Sequence, residues 1–222
     1  MIKNKPGRLS GTKILITAGP THEKIDPVRF IGNYSTGKMG YAIAEACAEE
    51  GASVLLVSGP VNLKAVHPGI SRFDVTSANE MAEKCFALFG ECQAGIMTAA
   101  VADFTPGRKY SRKVKRTKES LTIELVPTLD IAAELGRRKR GDQVLVGFAL
   151  ETDQEEVNAQ SKLKKKNFDF IVLNSLNDKG AGFGVDTNKI TIIDADNNIR
   201  YFELKSKREV ANDIIEKLVE YV

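Results

Sequence analysis

The chain has 222 residues, of which 42% are hydrophobic, and this length and composition suit one α/β domain with a core of ordinary size. Its net charge of +3 is modest and comes from clustered lysines and arginines, so a general nucleic-acid or membrane role is not indicated. No apolar run reaches the roughly 18 residues of a membrane span, and the N-terminus lacks the apolar core of a signal peptide. We therefore expect a soluble, cytoplasmic protein with local anion sites.

The cysteines and the N-terminal residues indicate structural rather than chemical roles. Cys47, Cys85 and Cys92 lie in helical patterns without the spacing of metal ligands, so we interpret them as reduced thiols that pack as small apolar groups. Residues 1–11 are basic and poor in apolar side chains. We expect them to form an arm or linker, followed by a single domain over residues 12–222.

Short apolar strands alternate with amphipathic helices along most of the chain. The sequence predicts strands over 13–17, 53–58, 71–75, 95–98, 144–151 and 170–174, and helices from about residue 39 and over 77–89, 154–166 and 207–221. This alternation predicts a Rossmann-like α/β fold, in which helices flank a mostly parallel sheet and ligands bind at the carboxyl ends of the strands. Two more strands, over 189–194 and 199–204, predict a C-terminal β-hairpin extension.

A long polar loop and a glycine-bracketed helix start follow the first strand. Ser35 or Thr36 can cap this helix, and Gly37 and Gly40 let a ligand oxygen approach the backbone. The free N–H groups of the first turn and the positive end of the helix dipole predict an anion site, with phosphate as the expected guest. The spacing matches neither G-x-G-x-x-G nor G-x-x-x-x-G-K-[ST], and the alternative is that the glycines only permit tight packing.

The middle of the chain carries an aspartate and a strongly basic run. Asp103 follows an apolar strand end, where it either binds a ligand or caps a turn. Residues 108–118, RKYSRKVKRTK, predict a flexible basic flap over about 106–119 that closes on a triphosphate, and the alternative is a solvated loop. A strand over 121–125 is predicted to leave the flap. Asp130 is then expected to cap a helix that begins at Ile131.

Several of these stretches together resemble the phosphopantothenoylcysteine synthetase family, the phosphopantothenate–cysteine ligases of coenzyme A biosynthesis, in their bacterial form. The matching strings are ITAGPT, DPVR, NYSTGKMG, AAVADF, KVKR and GFALET, so the resemblance covers nearly the whole chain. It implies that 4'-phosphopantothenate and L-cysteine are joined with CTP through an acyl-cytidylate, giving phosphopantothenoylcysteine, CMP and pyrophosphate.

The resemblance also implies cofactors and partners. Mg²⁺ is expected to be held largely by the triphosphate, and its protein ligands are not evident from the sequence. A homodimer built with the β-hairpin extension is expected. So is a flavin-dependent phosphopantothenoylcysteine decarboxylase, fused to this chain or associated with it, with no flavin in the chain itself.

The resemblance assigns roles to residues at the matching positions. Asn33 is expected to serve the conversion of the acyl-cytidylate to product, and Lys113 to hold the triphosphate as pyrophosphate leaves. The acid substrate is expected at Arg29, Asn33, Ser35, Thr36, Gly37 and Ala100. The nucleotide is expected at Asp103, Lys113, Leu129, Asp130, Ile131, Ala132, Phe148, Lys162 and Lys166.

The chemistry of these positions leaves alternatives open. Lys162 and Lys166 share one helix face and can donate to the oxygen and ring-nitrogen acceptors of cytosine, although a solvated helix end also explains them. Phe148 is either a nucleotide contact or an ordinary core aromatic. Two positions depart from the family pattern, with Arg116 in place of a lysine and Leu129 in place of a proline.

Two rival functions are compatible with such a sheet. An NAD(P)-dependent Rossmann reductase would require a glycine triplet after the first strand and an acidic residue at the end of the second strand. At the end of its second strand this chain has Ser58, Gly59 and Pro60 instead. A non-catalytic nucleotide-binding regulator would keep the nucleotide site and lack an activity.

Overall fold

A computed structural model of the protein describes residues 7–116, 120–175, 177, 178 and 180–222. Residues 1–6 of the predicted arm and 117–119 of the predicted flap lie outside the described residues. Residues 7–11 form a turn whose Leu9 is fully buried, and the Leu9 N–H donates to the carbonyl of Glu50 at 2.9 Å. The packed part of the chain therefore begins before residue 12.

Strands and helices alternate along the described chain. The strands are β1 (Lys13–Ala18), β2 (His22–Lys24), β3 (Phe30–Gly32), β4 (Ser53–Ser58), β5 (Ile70–Asp74), β6 (Ala94–Met97), β7 (Phe104–Pro106), β8 (Leu125–Pro127), β9 (Val144–Glu151), β10 (Phe170–Ser175), β11 (Thr187–Asn188), β12 (Thr191–Asp194), β13 (Ile199–Tyr201) and β14 (Lys205–Ser206). The helices are α1 (Lys38–Glu49), α2 (Ala78–Phe89), α3 (Ile131–Arg138), α4 (Glu155–Lys165) and α5 (Lys207–Leu218).

The central sheet has eight strands in the order β13-β12-β10-β9-β6-β1-β4-β5. The strands from β10 to β5 in this order are parallel, and β12 and β13 join the β10 edge in antiparallel register. This is the doubly wound arrangement, in which the chain builds outward from β1 in one direction and then in the other. The predicted α/β fold with a mostly parallel, helix-flanked sheet and a C-terminal hairpin is confirmed.

Helices cover both faces of the sheet, which explains why its central strands are apolar on both sides. Ile14 and Ile16 of β1 pack toward α1 and α5, whereas Leu15 packs toward α2, α3 and α4. All three side chains are fully buried. Strands buried on both faces give continuous apolar runs rather than alternation, and this is the pattern of 13–17, 53–58 and 144–151 in the sequence.

The structure corrects two local predictions. The long loop after β1 contains the antiparallel hairpin β2–β3, whose strands are only three residues long and give no recognisable pattern. The strand expected over 121–125 lies at Leu125–Pro127 and pairs with β7. The strands of these small hairpins are determined by the partner strand with which they pair. Local apolar periodicity does not indicate such pairing.

Cys47 and Cys85 lie in helices as the sequence predicts, whereas Cys92 lies between α2 and β6. All three are free and buried, and burial raises the pKa of the Cys47 thiol to about 12 and that of Cys92 to about 11. Thiols of this kind stay protonated and serve as packing groups. None of the helices in the described part of the chain has the length and apolar character that crossing a membrane requires.

Candidate functional site

Two neighbouring cavities open at the carboxyl ends of the central strands. The larger, cavity 1, has a volume of about 240 Å³ and lies beside α2, α3 and α4. The smaller, cavity 2, has a volume of about 130 Å³ and lies at the start of α1. Ala99, Ala100 and Phe148 line both cavities. The two therefore form one groove that crosses the sheet edge at the point where the strand order reverses.

Cavity 1 collects nearly all the residues predicted to contact a nucleotide. Its lining includes Asp103, Leu129, Asp130, Ile131, Ala132, Phe148, Lys162 and Lys166. These residues come from four separate parts of the chain, namely the segment after β6, the start of α3, the middle of β9 and the end of α4. The fold thus brings together positions that the sequence could relate only by resemblance.

Both lysines of cavity 1 are held by carboxylates. Lys162 Nζ lies 2.5 Å from Glu151 Oε1, and Lys166 Nζ lies 2.9 Å from Asp130 Oδ2. The lysines sit one helical turn apart on α4, so the two ion pairs keep two ammonium groups on the same cavity wall. Sequence reasoning gave Glu151 no role, although it belongs to the GFALET string.

The start of α3 confirms the predicted cap. Asp130 is the N-cap residue, and its carboxylate accepts the Ala133 N–H at 3.0 Å. Just before it, the Thr128 N–H donates to the Asp103 carbonyl at 2.9 Å and the Thr128 hydroxyl donates to the Ala102 carbonyl at 2.6 Å. Thr128 therefore joins the segment after β6 to the start of α3. No pattern in the sequence indicates this contact.

Cavity 2 surrounds the start of α1, where the predicted side-chain cap is wrong. Neither Ser35 nor Thr36 caps the helix: Gly37 is the N-cap residue, with a left-handed φ of 78° and no side-chain cap bond. A Cβ on Gly40 would lie 2.6 Å from the Cβ of Ala18, so the helix start packs directly on the end of β1. Ser35, Thr36 and Gly37 all line the cavity, which leaves the first-turn N–H groups without a side-chain competitor.

Two lysines that sequence reasoning missed complete cavity 2. Lys38 Nζ donates to the Gly184 carbonyl at 3.1 Å and lies 2.7 Å from Asp186 Oδ1. Lys207 is only 7% exposed and donates to the Gly182 carbonyl at 3.1 Å. Burial, together with the nearby Lys38 charge, lowers the pKa of Lys207. The loop that contains Gly182 and Gly184 is thus held by Lys38 at the start of α1 and by Lys207 at the start of α5.

Asn33 lies outside the lining of both cavities but bonds to Ala100, which lines both. Its side-chain NH₂ donates to the Ala100 carbonyl at 2.8 Å, and the Thr21 N–H donates to the same oxygen at 3.3 Å. The structure thus brings together Asn33 and Ala100, two residues predicted to serve the same substrate. It does so by bonding the loop after β1 to the segment after β6.

Arg29 and Lys113 lie outside the lining of both cavities. The Arg29 guanidinium pairs with the Asp26 carboxylate, with Nη2 2.5 Å from Oδ2, and donates to the Val114 carbonyl at 2.7 Å. Lys113 is exposed on the basic run next to Val114. The structure therefore places these two predicted residues together, but apart from the groove.

The fold and the groove define a doubly wound α/β protein with a candidate ligand site at the topological switch point. Residues 9–222 match the family model of the DNA/pantothenate metabolism flavoprotein C-terminal domain, and the chain belongs to this family. The sequence resemblance to bacterial phosphopantothenoylcysteine synthetases agrees with this finding.

Similar proteins place the chain in the same context. It is 58% identical over 221 residues to a protein named cysteine/cysteine sulfinic acid decarboxylase from an unknown prokaryotic organism, covering 100% of this chain and 61% of that protein. It is 47% identical over 211 residues to the coenzyme A biosynthesis bifunctional protein CoaBC of Bacillus subtilis, covering 95% of this chain and 52% of that protein. The chain thus spans between about half and three fifths of the length of these relatives.

A solved structure is similar over nearly the whole chain. The crystal structure of the C-terminal domain of a coenzyme A biosynthesis bifunctional protein CoaBC superimposes with a TM-score of 0.82 at 41% sequence identity. The match covers 96% of this chain and 97% of that one.

Asp130 has two separable contacts, a helix cap and an ion pair. We predict that Asp130→Ala lowers the free energy of unfolding by about 1 kcal/mol, because the Ala133 N–H loses its acceptor. Asp130→Asn should stay within about 0.5 kcal/mol of the parent, because asparagine also caps and the half-exposed Lys166 pair contributes little. Urea unfolding measures both, and equal losses in the two variants would contradict the capping role.

Proposed function

We propose that the chain is a ligase that joins 4'-phosphopantothenate and L-cysteine with CTP, through a phosphopantothenoyl-cytidylate, to give phosphopantothenoylcysteine, CMP and pyrophosphate. The observation that carries the proposal is the Asn33–Ala100 contact, in which an amide donor bonds a residue that lines both cavities. An acyl-nucleotide has one reactive carbon between two large halves, and a two-part groove with a polar donor beside its shared lining suits that shape. Family membership and the name of the Bacillus subtilis relative support the same reaction class.

The nucleotide is assigned to cavity 1. Phe148 offers an aromatic contact, and Lys162 and Lys166 offer N–H donors but no acceptors. Cytosine presents a carbonyl oxygen and a ring nitrogen to such donors, whereas adenine has no exocyclic oxygen. This difference favours CTP over ATP. Exposed lysine–carboxylate pairs are weak, so a base can compete for the ammonium groups at little cost.

The acid substrate is assigned to cavity 2 with its carboxylate toward Ala100. The uncapped start of α1 offers backbone N–H groups and the positive end of the helix dipole to an anion. Ser35, Thr36 and Gly37 line this end. Arg29 is proposed to bind the same substrate, in keeping with a homodimer in which it serves the neighbouring copy.

In the first step, the substrate carboxylate attacks the α-phosphorus of CTP and the bond to pyrophosphate breaks. Such displacements depend on positioning and on neutralising charge, and Lys113 is assigned to the charge that develops on the leaving pyrophosphate. Mg²⁺ binds one or two carboxylates together with phosphate oxygens, and Asp103 and Asp130 both line cavity 1, so these residues fit it. When bound, the ion would neutralise phosphate charge.

In the second step, the cysteine amine attacks the activated carbonyl carbon, the new C–N bond forms and CMP leaves. The carbonyl oxygen becomes anionic on the way, and hydrogen-bond donors at that point lower the barrier. The Asn33 amide is assigned to this oxygen, since it is an uncharged donor already fixed beside Ala100. No side chain is required to form a covalent bond to the substrate.

A larger assembly follows from the lengths of the relatives. Because the chain spans about half of proteins named as bifunctional, we propose that it works fused to or beside a flavin-dependent phosphopantothenoylcysteine decarboxylase. The hairpin β12–β13 lies at the edge of the sheet, and we assign it to the homodimer contact.

The reaction can be tested directly. Incubation with 4'-phosphopantothenate, Mg²⁺ and CTP should release pyrophosphate, and a cysteine adduct should form only when cysteine is added, as followed by a pyrophosphate assay and product mass. Turnover with ATP in place of CTP would keep the ligase but overturn the assignment of Lys162 and Lys166. Oxidation of NADPH would favour the reductase, and nucleotide binding without any turnover would favour the regulator.

Asn33→Ala should slow product formation by about 10²- to 10³-fold, because the developing oxyanion loses its donor. The acyl-cytidylate should accumulate, since its formation does not need this donor, and mass spectrometry of quenched reactions measures it. Asn79→Ala is a matched control, because Asn79 bonds Glu83 on α2, away from the groove. Undiminished product formation in Asn33→Ala would contradict the assignment of Asn33 to the oxyanion.

Lys113→Ala should instead slow pyrophosphate release by about 10²-fold, because the leaving group loses a neutralising charge. Lys109→Ala, which removes the same charge elsewhere in the basic run, is the control and should have a much smaller effect. Measuring pyrophosphate in single-turnover reactions separates this step from the second. Equal effects of the two substitutions would indicate general electrostatics rather than a specific role for Lys113.

A further inference from the structure

The basic run belongs to an excursion of the chain that starts and ends in cavity 1. It leaves at Asp103 and returns at Thr128, which lie together because the Thr128 N–H donates to the Asp103 carbonyl. Strands β7 and β8 pair at the base of the excursion. Contacts that fix the position of the excursion therefore act next to the proposed nucleotide site.

The turn of the hairpin β2–β3 forms hydrogen bonds with the basic part of this excursion. We call residues 108–116 the basic segment. Its Tyr110 N–H donates to the Ile25 carbonyl at 2.9 Å, and its Val114 N–H donates to Asp26 Oδ2 at 3.1 Å. Arg29 closes the contact by donating to the Val114 carbonyl at 2.7 Å. Both backbone groups of Val114 are thus bound by the turn between β2 and β3.

Asp26 is the centre of this contact. Its side chain is fully buried, and besides Val114 it accepts the N–H groups of Val28 at 2.8 Å and Arg29 at 2.9 Å. The Arg29 guanidinium is the strongest of several contacts that hold the pKa of the Asp26 carboxyl well below its ordinary value. A buried carboxylate with every contact satisfied is costly to disturb, so the geometry of this turn is well determined.

We infer that Asp26 is a positioning residue that docks the basic segment on the turn between β2 and β3 and so fixes the backbone at Lys113. Lys113 immediately precedes the bound Val114 N–H, and the peptide bond that joins them is held by the Asp26 carboxylate. The same carboxylate orients Arg29, which also lies outside the lining of both cavities. The inference rests on the proposed function for the use that the reaction makes of Lys113, whereas the docking itself does not depend on it.

The docking is tested by limited trypsin digestion, because the basic segment offers several cleavage sites. Asp26→Asn keeps the shape of the side chain but loses its charge, and we expect cleavage within the segment to accelerate by about tenfold or more. Asp142→Asn is the matched control, because it breaks an exposed pair with Arg140 and contacts neither the basic segment nor the groove. Equal cleavage rates in the two variants, mapped by mass spectrometry, would overturn the docking.

A second variant covers the case in which Asp26→Asn fails to fold. Val114→Pro removes the N–H that Asp26 accepts and leaves the Asp26–Arg29 pair in place. Cleavage after Lys115 and Arg116 should again accelerate, and thermal unfolding should show an intact core. Unchanged cleavage at these two bonds would contradict the docking as clearly as in the first variant.

The positioning role is tested by a double-mutant cycle on the rate of pyrophosphate release. With 4'-phosphopantothenate at saturation, so that weaker binding through Arg29 does not limit the rate, Asp26→Asn alone should slow release by about tenfold. It should have no further effect on this rate in a Lys113→Ala background, because at saturation it acts through Lys113. Additive losses would overturn the positioning role, since a purely structural defect would persist without the lysine. Absence of ligase turnover in the parent protein would overturn the proposed function and this role together, while the digestion would still decide the docking.

Discussion

The structure depends on the position of β1 in the middle of the sheet. This strand pairs with β4 on one side and β6 on the other, so the connections that leave these strands diverge at their carboxyl ends. The loops after β1 and β6 must then cross the gap, and they do so by sharing hydrogen bonds at Ala100. The groove lies at this point, where the strand order reverses.

Three of the four lysines that line the groove in the described part of the chain are paired with carboxylates, and the fourth, Lys207, is bound by backbone carbonyls. Lys162, Lys166 and Lys38 each contact a carboxylate, from Glu151, Asp130 and Asp186 respectively. Without such partners, clustered ammonium groups would repel one another in a concave, partly dry site. Because the pairs are partly exposed, an anionic ligand can replace a carboxylate at small cost. The fold can therefore hold a cationic site before any ligand arrives.

Patterns that are local in sequence predicted much of the molecule. Apolar runs marked β1, β4 and β9, and Asp130 marked the start of α3, because these elements are determined by neighbouring residues and by burial on both faces of the sheet. Residues that line cavity 1 and lie far apart in the chain, such as Asp103, Phe148 and Lys162, were related to one another only through motif resemblance. Their roles remain predictions that the proposed experiments address.

The sequence by itself determined the fold class and the family, and it indicated some of the groove residues, because strand and helix periodicity and long motif strings are written in contiguous residues. Only the tertiary structure decided that Gly37 rather than Ser35 is the N-cap residue of α1. It also decided that Glu151 pairs with Lys162 and that Asp26 binds the backbone beside Lys113. These contacts join residues far apart in the chain or depend on a left-handed backbone conformation. Their geometry follows from how the sheet and its connections pack, which no local pattern encodes.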